Sequence, residues 1–265
     1  MYCYAYRDKD RNSKEGFVEH SINVAKCVTG AKDASIRCSD AETLFVKASK
    51  VLGVDIEVVR KFATVASLLH DIAKVFEDLQ KPCFESGICR NFKNHDVESA
   101  WFLYHMGSEL RYIPRSIRLE SIVTGIILGL PQVLDDVFKK TLAYVALVMF
   151  PVLLHNYAIA SSGRVLGVQP RGSYTARRRI YGKCRSDLEE LGKYLEEQGI
   201  EDVANYLKQV AMRGTLELIP FDSYTVLKVV LPNPPEVITL IEAFTGLINF
   251  CDGRIASQAR RVPRV

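Results

Sequence analysis

The sequence predicts an all-α, mainly helical fold with one small β-hairpin near residues 215–231. Three observations carry that reading. Apolar residues recur at the three-and-four spacing of helices along most of the chain. Glycine and proline fall between those stretches, where helices stop. Two short runs, TLELI and YTVLKVVL, are rich in β-branched and aromatic residues instead, with Pro220 between them.

A short strand is expected at Tyr2–Tyr6. Phe17, Ser21, Val24, Ala25 and Val28 then mark one face of a first helix, with His20 beside it. Residues 40–51 read as a short helix ending near Gly53. From Asp55, which can cap its start, a helix runs to about Leu79 with Val59, Phe62, Ala63, Ala66, Leu69, His70 and Ala73 on one stripe. A loop with Pro82 and Gly87 follows. Asn94 opens a helix to about Leu110, with Asp96 and Glu98 in its first turn, where the helix dipole favours acids. Helices over 115–129 and 133–161 are divided by Gly129 and Pro131. Segment 162–185 breaks the pattern with glycine, serine and arginine. Helices resume over 186–198 and 201–212, and PNPP introduces a last one over 236–257. No repeat, low-complexity tract or linker interrupts the chain, so one domain over 1–265 is expected.

With 48% hydrophobic and 25% charged residues, the chain falls outside the disordered and collagenous classes. A formal net charge of +4 does not by itself announce nucleic-acid binding. Residues 142–160 are apolar over a length that can span a bilayer. Pro151, His155 and Asn156 interrupt that run and no second span accompanies it, so it reads as a buried core helix, which is apolar all round for the same reason. Seven cysteines include no C-x-x-C pair, and no apolar leader begins the chain. Reduced thiols in a cytoplasmic protein are therefore expected. Cys83 and Cys89 are the one pair whose spacing lets them meet in a connecting loop.

Only five histidines occur, at 20, 70, 95, 105 and 155. His70 lies on the apolar stripe of its helix, where a polar ring is costly unless bonded or bound to a metal. A lone histidine there is usually a hydrogen-bonded core residue. Here Asp71 follows it directly, and imidazole with carboxylate is a donor mixture that divalent ions take. Lys74, one turn on, is placed to meet a phosphate. Asp252 is the second acid in a core-like helix, within FTGLINFCDGRIAS. It needs a nearby cation: either a metal, or an arginine such as Arg254.

Four motifs in order, EHSINVA at His20, LLHDIAK at His70-Asp71, NHDVESA at His95 and CDGRIAS at Asp252, resemble the HD-superfamily phosphohydrolases, most specifically the stand-alone HD nuclease subunit of type I CRISPR interference systems. The resemblance runs from His20 to about Ser257. It implies a helical HD-domain fold, with His20, His70, Asp71 and Asp252 around one metal ion and Asp71 bridging to a second ion held by His95 and His155. Asn156 stands where the family commonly has a second histidine, so it is a weaker ligand or a supporting residue. The implied cofactors are one or two divalent ions, Mn²⁺ or Mg²⁺ first, with Ni, Co or Fe as further candidates. Two ions sharing a carboxylate suit phosphodiester hydrolysis, by activating water and clamping the attacking and leaving oxygens. Asp71 and Lys74 would be the residues closest to that chemistry. His105 is out of phase with His95 and reads as structural, near Trp101.

The polymer would need a surface. Arg171, Arg177, Arg178 and Arg179, with Tyr174 and Tyr181 among them, offer charge for a backbone and rings for unpaired bases. Arg164, Lys183 and Arg185 extend that cluster, and Arg254, Arg260, Arg261 and Arg264 add a basic tail. No phosphate-binding G-x-x-x-x-G-K-[ST] loop is present, so a helicase would be a separate subunit. The implied partners are single-stranded DNA, that helicase and the crRNA-guided surveillance complex, in the cytoplasm of an archaeon and away from membranes. Two other readings stay open: an HD phosphohydrolase acting on small nucleotides, and a non-catalytic metal-binding subunit of an assembly.

Overall fold

The computed structural model describes residues 3–9, 12–36, 38, 41–89, 92–115, 135–155, 177–218 and 236–260. It is an all-α architecture with small antiparallel β-elements. Strand β1 (Tyr4–Asp8) pairs with β2 (Ser13–Gly16) on one side and β3 (Ile88–Cys89) on the other. Helices follow as α1 (Phe17–Thr29), α2 (Ala41–Leu52), α3 (Ile56–Leu69), α4 (Glu77–Ser86) and α5 (His95–Glu109). The later helices are α6 (Asp136–Leu154), α7 (Arg185–Glu197), α8 (Glu201–Arg213) and α9 (Glu236–Ala259).

Strand β4 (Arg177–Arg179) pairs antiparallel with β5 (Thr215–Glu217). The β-element expected near 215–231 is thus present, but in the described residues its partner is an arginine strand 36 or more positions earlier. The YTVLKVVL half lies outside the described residues, as does the helix expected over 115–129.

Burial follows the apolar stripes. Phe17, Phe45, Phe62, Leu68, Leu69, Phe102, Tyr144 and Phe244, from six helices, are all at or below 1% exposure within one contiguous apolar cluster. α5 and α6 approach closely because Gly107 faces the Tyr144 ring; a Cβ on Gly107 would stand 2.5 Å from Tyr144 Cε1. The Tyr144 hydroxyl donates to the Leu103 carbonyl at 2.7 Å and locks the pair. The apolar run ahead of His155 is a core helix, as expected: 78% of its most apolar stretch is buried. Within it Val145–Met149 form a π-turn, with the Phe150 N–H bonded to the Val145 carbonyl. Pro151 follows, and the missing N–H of a proline inside a helix is a recognised cause of such a local rearrangement.

Two expectations need correction. Pro82 sits inside α4 and not in a loop; the carbonyl four residues back, which a proline cannot bond, belongs to Asp78, an exposed residue. The thiols are not all reduced. Cys3 is bonded to Cys184, and Cys27 to Cys251, while Cys38, Cys83 and Cys89 are free. Neither pair has a local signal, because each joins residues more than 180 positions apart that only the packing brings together. Cys83 and Cys89 do lie together, in a small apolar cluster with Phe92.

Candidate metal centre

The site begins with a break in a helix. The stripe from Asp55 to Leu79 predicts a continuous helix, yet α3 ends at Leu69. His70 caps it in helical conformation, and Asp71 turns to φ −108°, ψ 16° before a 3₁₀ turn over Ile72–Val75. Adjacent residues on a regular helix point about 100° apart. The break removes that constraint, and His70 Nε2 lies 3.4 Å from Asp71 Oδ2.

Asp71 is the hub. Its Oδ2 lies 3.7 Å from His20 Nε2 and 2.5 Å from Lys74 Nζ. Its Oδ1 lies 3.1 Å from His95 Nε2 and 3.5 Å from His155 Nε2. Asp252 Oδ1 completes the Oδ2 side, 3.1 Å from His20 Nε2 and 3.9 Å from His70 Nε2. His20, His70, Asp71 and His155 are buried, whereas Asp252 and His95 are partly exposed and mark where the centre meets solvent. The six residues come from α1, the end of α3, the start of α5, the end of α6 and α9.

These atoms converge on two points, and three of them reach the centre without a hydrogen-bond partner. His20 Nε2, His70 Nε2 and Asp71 Oδ1 are buried and have no aligned hydrogen-bond partner. Buried polar atoms are rarely left so unless an ion or water takes them. Oxygens and nitrogens about 2.1 Å from an octahedral ion stand about 3 Å apart, close to the separations seen. Two groups, His20–His70–Asp71 and Asp71–His95–His155, can each hold a metal ion, and they share Asp71.

The other ring nitrogens are already committed. His70 Nδ1 lies 2.7 Å from the Ser67 carbonyl, His95 Nδ1 2.5 Å from that of Phe92, and His155 Nδ1 2.5 Å from that of Val152. A carbonyl only accepts, so each Nδ1 carries the proton and each Nε2 faces the centre with its lone pair. His20 Nδ1 makes the corresponding contact with a carboxylate, Glu15 Oε1, at 2.6 Å.

Without a metal the charges hold one another. Burial opposes charging His20, but Asp252 and Glu15 raise its pKa to about 9. Burial likewise works against the Asp71 carboxylate, and Lys74, His70, His95 and His155 together hold it well below the usual carboxylate range. Asp252 is depressed despite its burial by His20 and His70. A metal ion taking the place of these protons relieves the same concentration of donors.

All six expected ligands are brought together, and Lys74 with them. Lys74 is 7% exposed, bonded to Asp71, with its ammonium 5.1 Å above the Phe92 ring. His105 stands apart, its ring 6.3 Å from that of Tyr206. Asp252 meets the histidines in place of the arginine partner that was the alternative. Asn156, Arg171 and Tyr174 lie outside the described residues.

The basic segment is less open than its composition implies. β4 alternates faces at the period of two of any strand. Arg178 points inward and makes a two-pronged bond to Glu98 (Nε–Oε2 3.1 Å, Nη2–Oε1 3.0 Å). It is therefore tied into the protein and not presented to a polymer. Arg179 points out but lies 3.5 Å from Glu77. Arg177 is exposed, and Tyr181 packs against Phe84 at 5.2 Å between ring centroids. Sequence reasoning missed Glu15 and Glu98, since one buried acid in a strand or an early helical turn looks like any surface acid.

No protein-family model matches the chain, and no curated protein or solved structure matches it.

Proposed function

We propose that this chain is a metal-dependent phosphodiesterase of the HD type, acting as a nuclease on single-stranded DNA within type I CRISPR interference. The observation that supports it is Asp71, whose two oxygens face two different groups of histidines. Two divalent ions, Mn²⁺ or Mg²⁺, would supply the activated water and the charge that such hydrolysis needs. His20, His70, Asp71 and Asp252 would hold one, and Asp71, His95 and His155 the other. Lys74 orients Asp71 and adds positive charge beside the phosphate. Arg177 and the arginines outside the described residues would meet the backbone. A separate helicase and the surveillance complex would deliver the displaced strand.

One observation favours a second reading, an HD phosphohydrolase for small nucleotides: Arg178 and Arg179 are engaged by Glu98 and Glu77. Cleavage of labelled circular single-stranded DNA with Mn²⁺, with Mg²⁺ and with EDTA, by wild type and Asp71→Ala, separates the two. Metal-dependent linearisation by wild type alone is expected. Hydrolysis of nucleotides with intact DNA would favour the second reading, and no hydrolysis of either would leave a metal-binding assembly subunit.

A further inference from the structure

The four histidines around Asp71 are held in two different ways, and their places on the helices explain why. His70 and His155 follow the last residues of α3 and α6, where the final carbonyls of a helix have no partner in the helix. Their Nδ1 atoms take up two of those carbonyls, Ser67 and Val152. His95 opens α5 and uses Phe92 in the preceding loop. His20 sits in the first turn of α1, where the carbonyl three residues back is engaged by the helix itself. Its Nδ1 partner comes from elsewhere: Glu15 of β2, at 2.6 Å.

Glu15 is only 5% exposed, and an unpaired carboxylate at such depth is costly. Its second oxygen, Oε2, receives both Nε and Nη2 of Arg260 at 3.0 Å. The Arg260 guanidinium lies 4.3 Å from the centroid of the Tyr6 ring, which fixes its plane. A continuous brace therefore runs from Tyr6 through Arg260 and Glu15 to His20, joining both ends of the described chain at one imidazole. Arg260, read from sequence as part of a basic tail for the polymer, is occupied here.

We infer that Glu15, braced by Arg260, is the positioning residue of the His20–His70–Asp71–Asp252 group, and makes it the first of the two groups to take up a divalent ion. The inference rests on the metal-centre reading above. A carboxylate behind a ligating imidazole fixes its tautomer and raises its basicity, more than a neutral carbonyl does. Among the described residues this group also has two facing carboxylates, Asp71 and Asp252, against Asp71 for the His95–His155 group. Both differences act in the same direction.

The test is Mn²⁺ titration of the metal-stripped full chain, with free Mn²⁺ read by electron paramagnetic resonance and heats by calorimetry. Wild type should show a tight and a weak class of site, with Asp252→Ala removing the tight one and His155→Ala the weak one. Glu15→Gln and Arg260→Ala should each weaken the tight class by about 10–100-fold and leave the weak class in place. Arg260→Lys should recover part of that loss. Arg260 is partly exposed, so its variant keeps the test open if Glu15→Gln fails to fold. Wild-type affinity in both variants, or equal weakening of both classes, would overturn the inference. Absence of Mn²⁺ binding by wild type would instead overturn the metal-centre reading on which it stands.

Discussion

Cys27 and Cys251 join the helix that carries His20 to the helix that carries Asp252, with their Cα atoms 5.7 Å apart. The link sits one residue from Asp252 and about two turns from His20, whose side chains meet at 3.1 Å. It spans 224 residues, so it restricts the unfolded chain strongly, an effect worth about 2–5 kcal/mol. A Cys27→Ala, Cys251→Ala double variant is expected to lower the thermal midpoint by roughly 5–15 °C, measured by calorimetry in EDTA. Reduction of wild type should act in the same direction. An unchanged midpoint would mean that these thiols are not joined in solution.

Metal should stabilise the fold measurably, because its donors come from five separate places in the chain. With free Mn²⁺ at 100 times its dissociation constant the gain is about 2.7 kcal/mol per site. Thermal melts with Mn²⁺ and with EDTA should therefore differ by several degrees in wild type. The difference should vanish in Asp71→Ala, which removes the donor common to both groups; a persistent shift would place the ion elsewhere.

The metal-free protein should lose stability as pH rises from neutrality. His20 has a folded pKa near 9, above its ordinary 6.5. Its contribution is fully present below about 6.5 and is lost as pH climbs through 9, on the order of 3 kcal/mol. His155, also raised, adds in the same sense. Asp71 and Asp252 are depressed, so their contribution is present above the ordinary carboxylate range and is lost only in strong acid. Melts in EDTA between pH 5 and 9 should fall across that window, while the stabilisation by Mn²⁺ grows as protons leave its ligands. A midpoint rising toward pH 9 in EDTA would contradict these shifts.

Arg178 and Glu98 form a partly buried pair, and removing one member leaves the other charge without it, at a cost of about 1–3 kcal/mol. Arg178→Ala should therefore lower stability, whereas Arg177→Ala should leave it within about 0.5 kcal/mol. Single-stranded DNA affinity, measured by fluorescence anisotropy across salt concentrations, should respond to Arg177→Ala with weaker binding and a shallower salt slope. Affinity unmoved by Arg177→Ala would remove β4 from the polymer surface.

Gly107→Ala tests the packing that sets α5 against α6. The added methyl meets the Tyr144 ring, which is fully buried and cannot swing aside. A loss of about 1–3 kcal/mol is expected in urea denaturation, with weaker metal binding at the His95–His155 group. Wild-type stability would show that the helices can separate at no cost.

The helices and the buried character of the segment before His155 were legible because local signals specify them; the six residues that converge on Asp71 were expected from a family resemblance carried by four short motifs. Apolar periodicity is a property of neighbouring residues, and the motifs around His20, His70, His95 and Asp252 are short. The continuity of the helix through His70 was misread, since a stripe of apolar residues does not register a break that serves a site. The disulfides, the Glu15–Arg260 brace and the inward turn of Arg178 had no local signal at all. Each joins residues distant in sequence that only the packing of the helices and strands brings together. The sequence determined the main helical segments and the histidines and acids that could hold a metal; the tertiary structure alone decided which charges meet, since that depends on the distance between elements and on the water excluded between them.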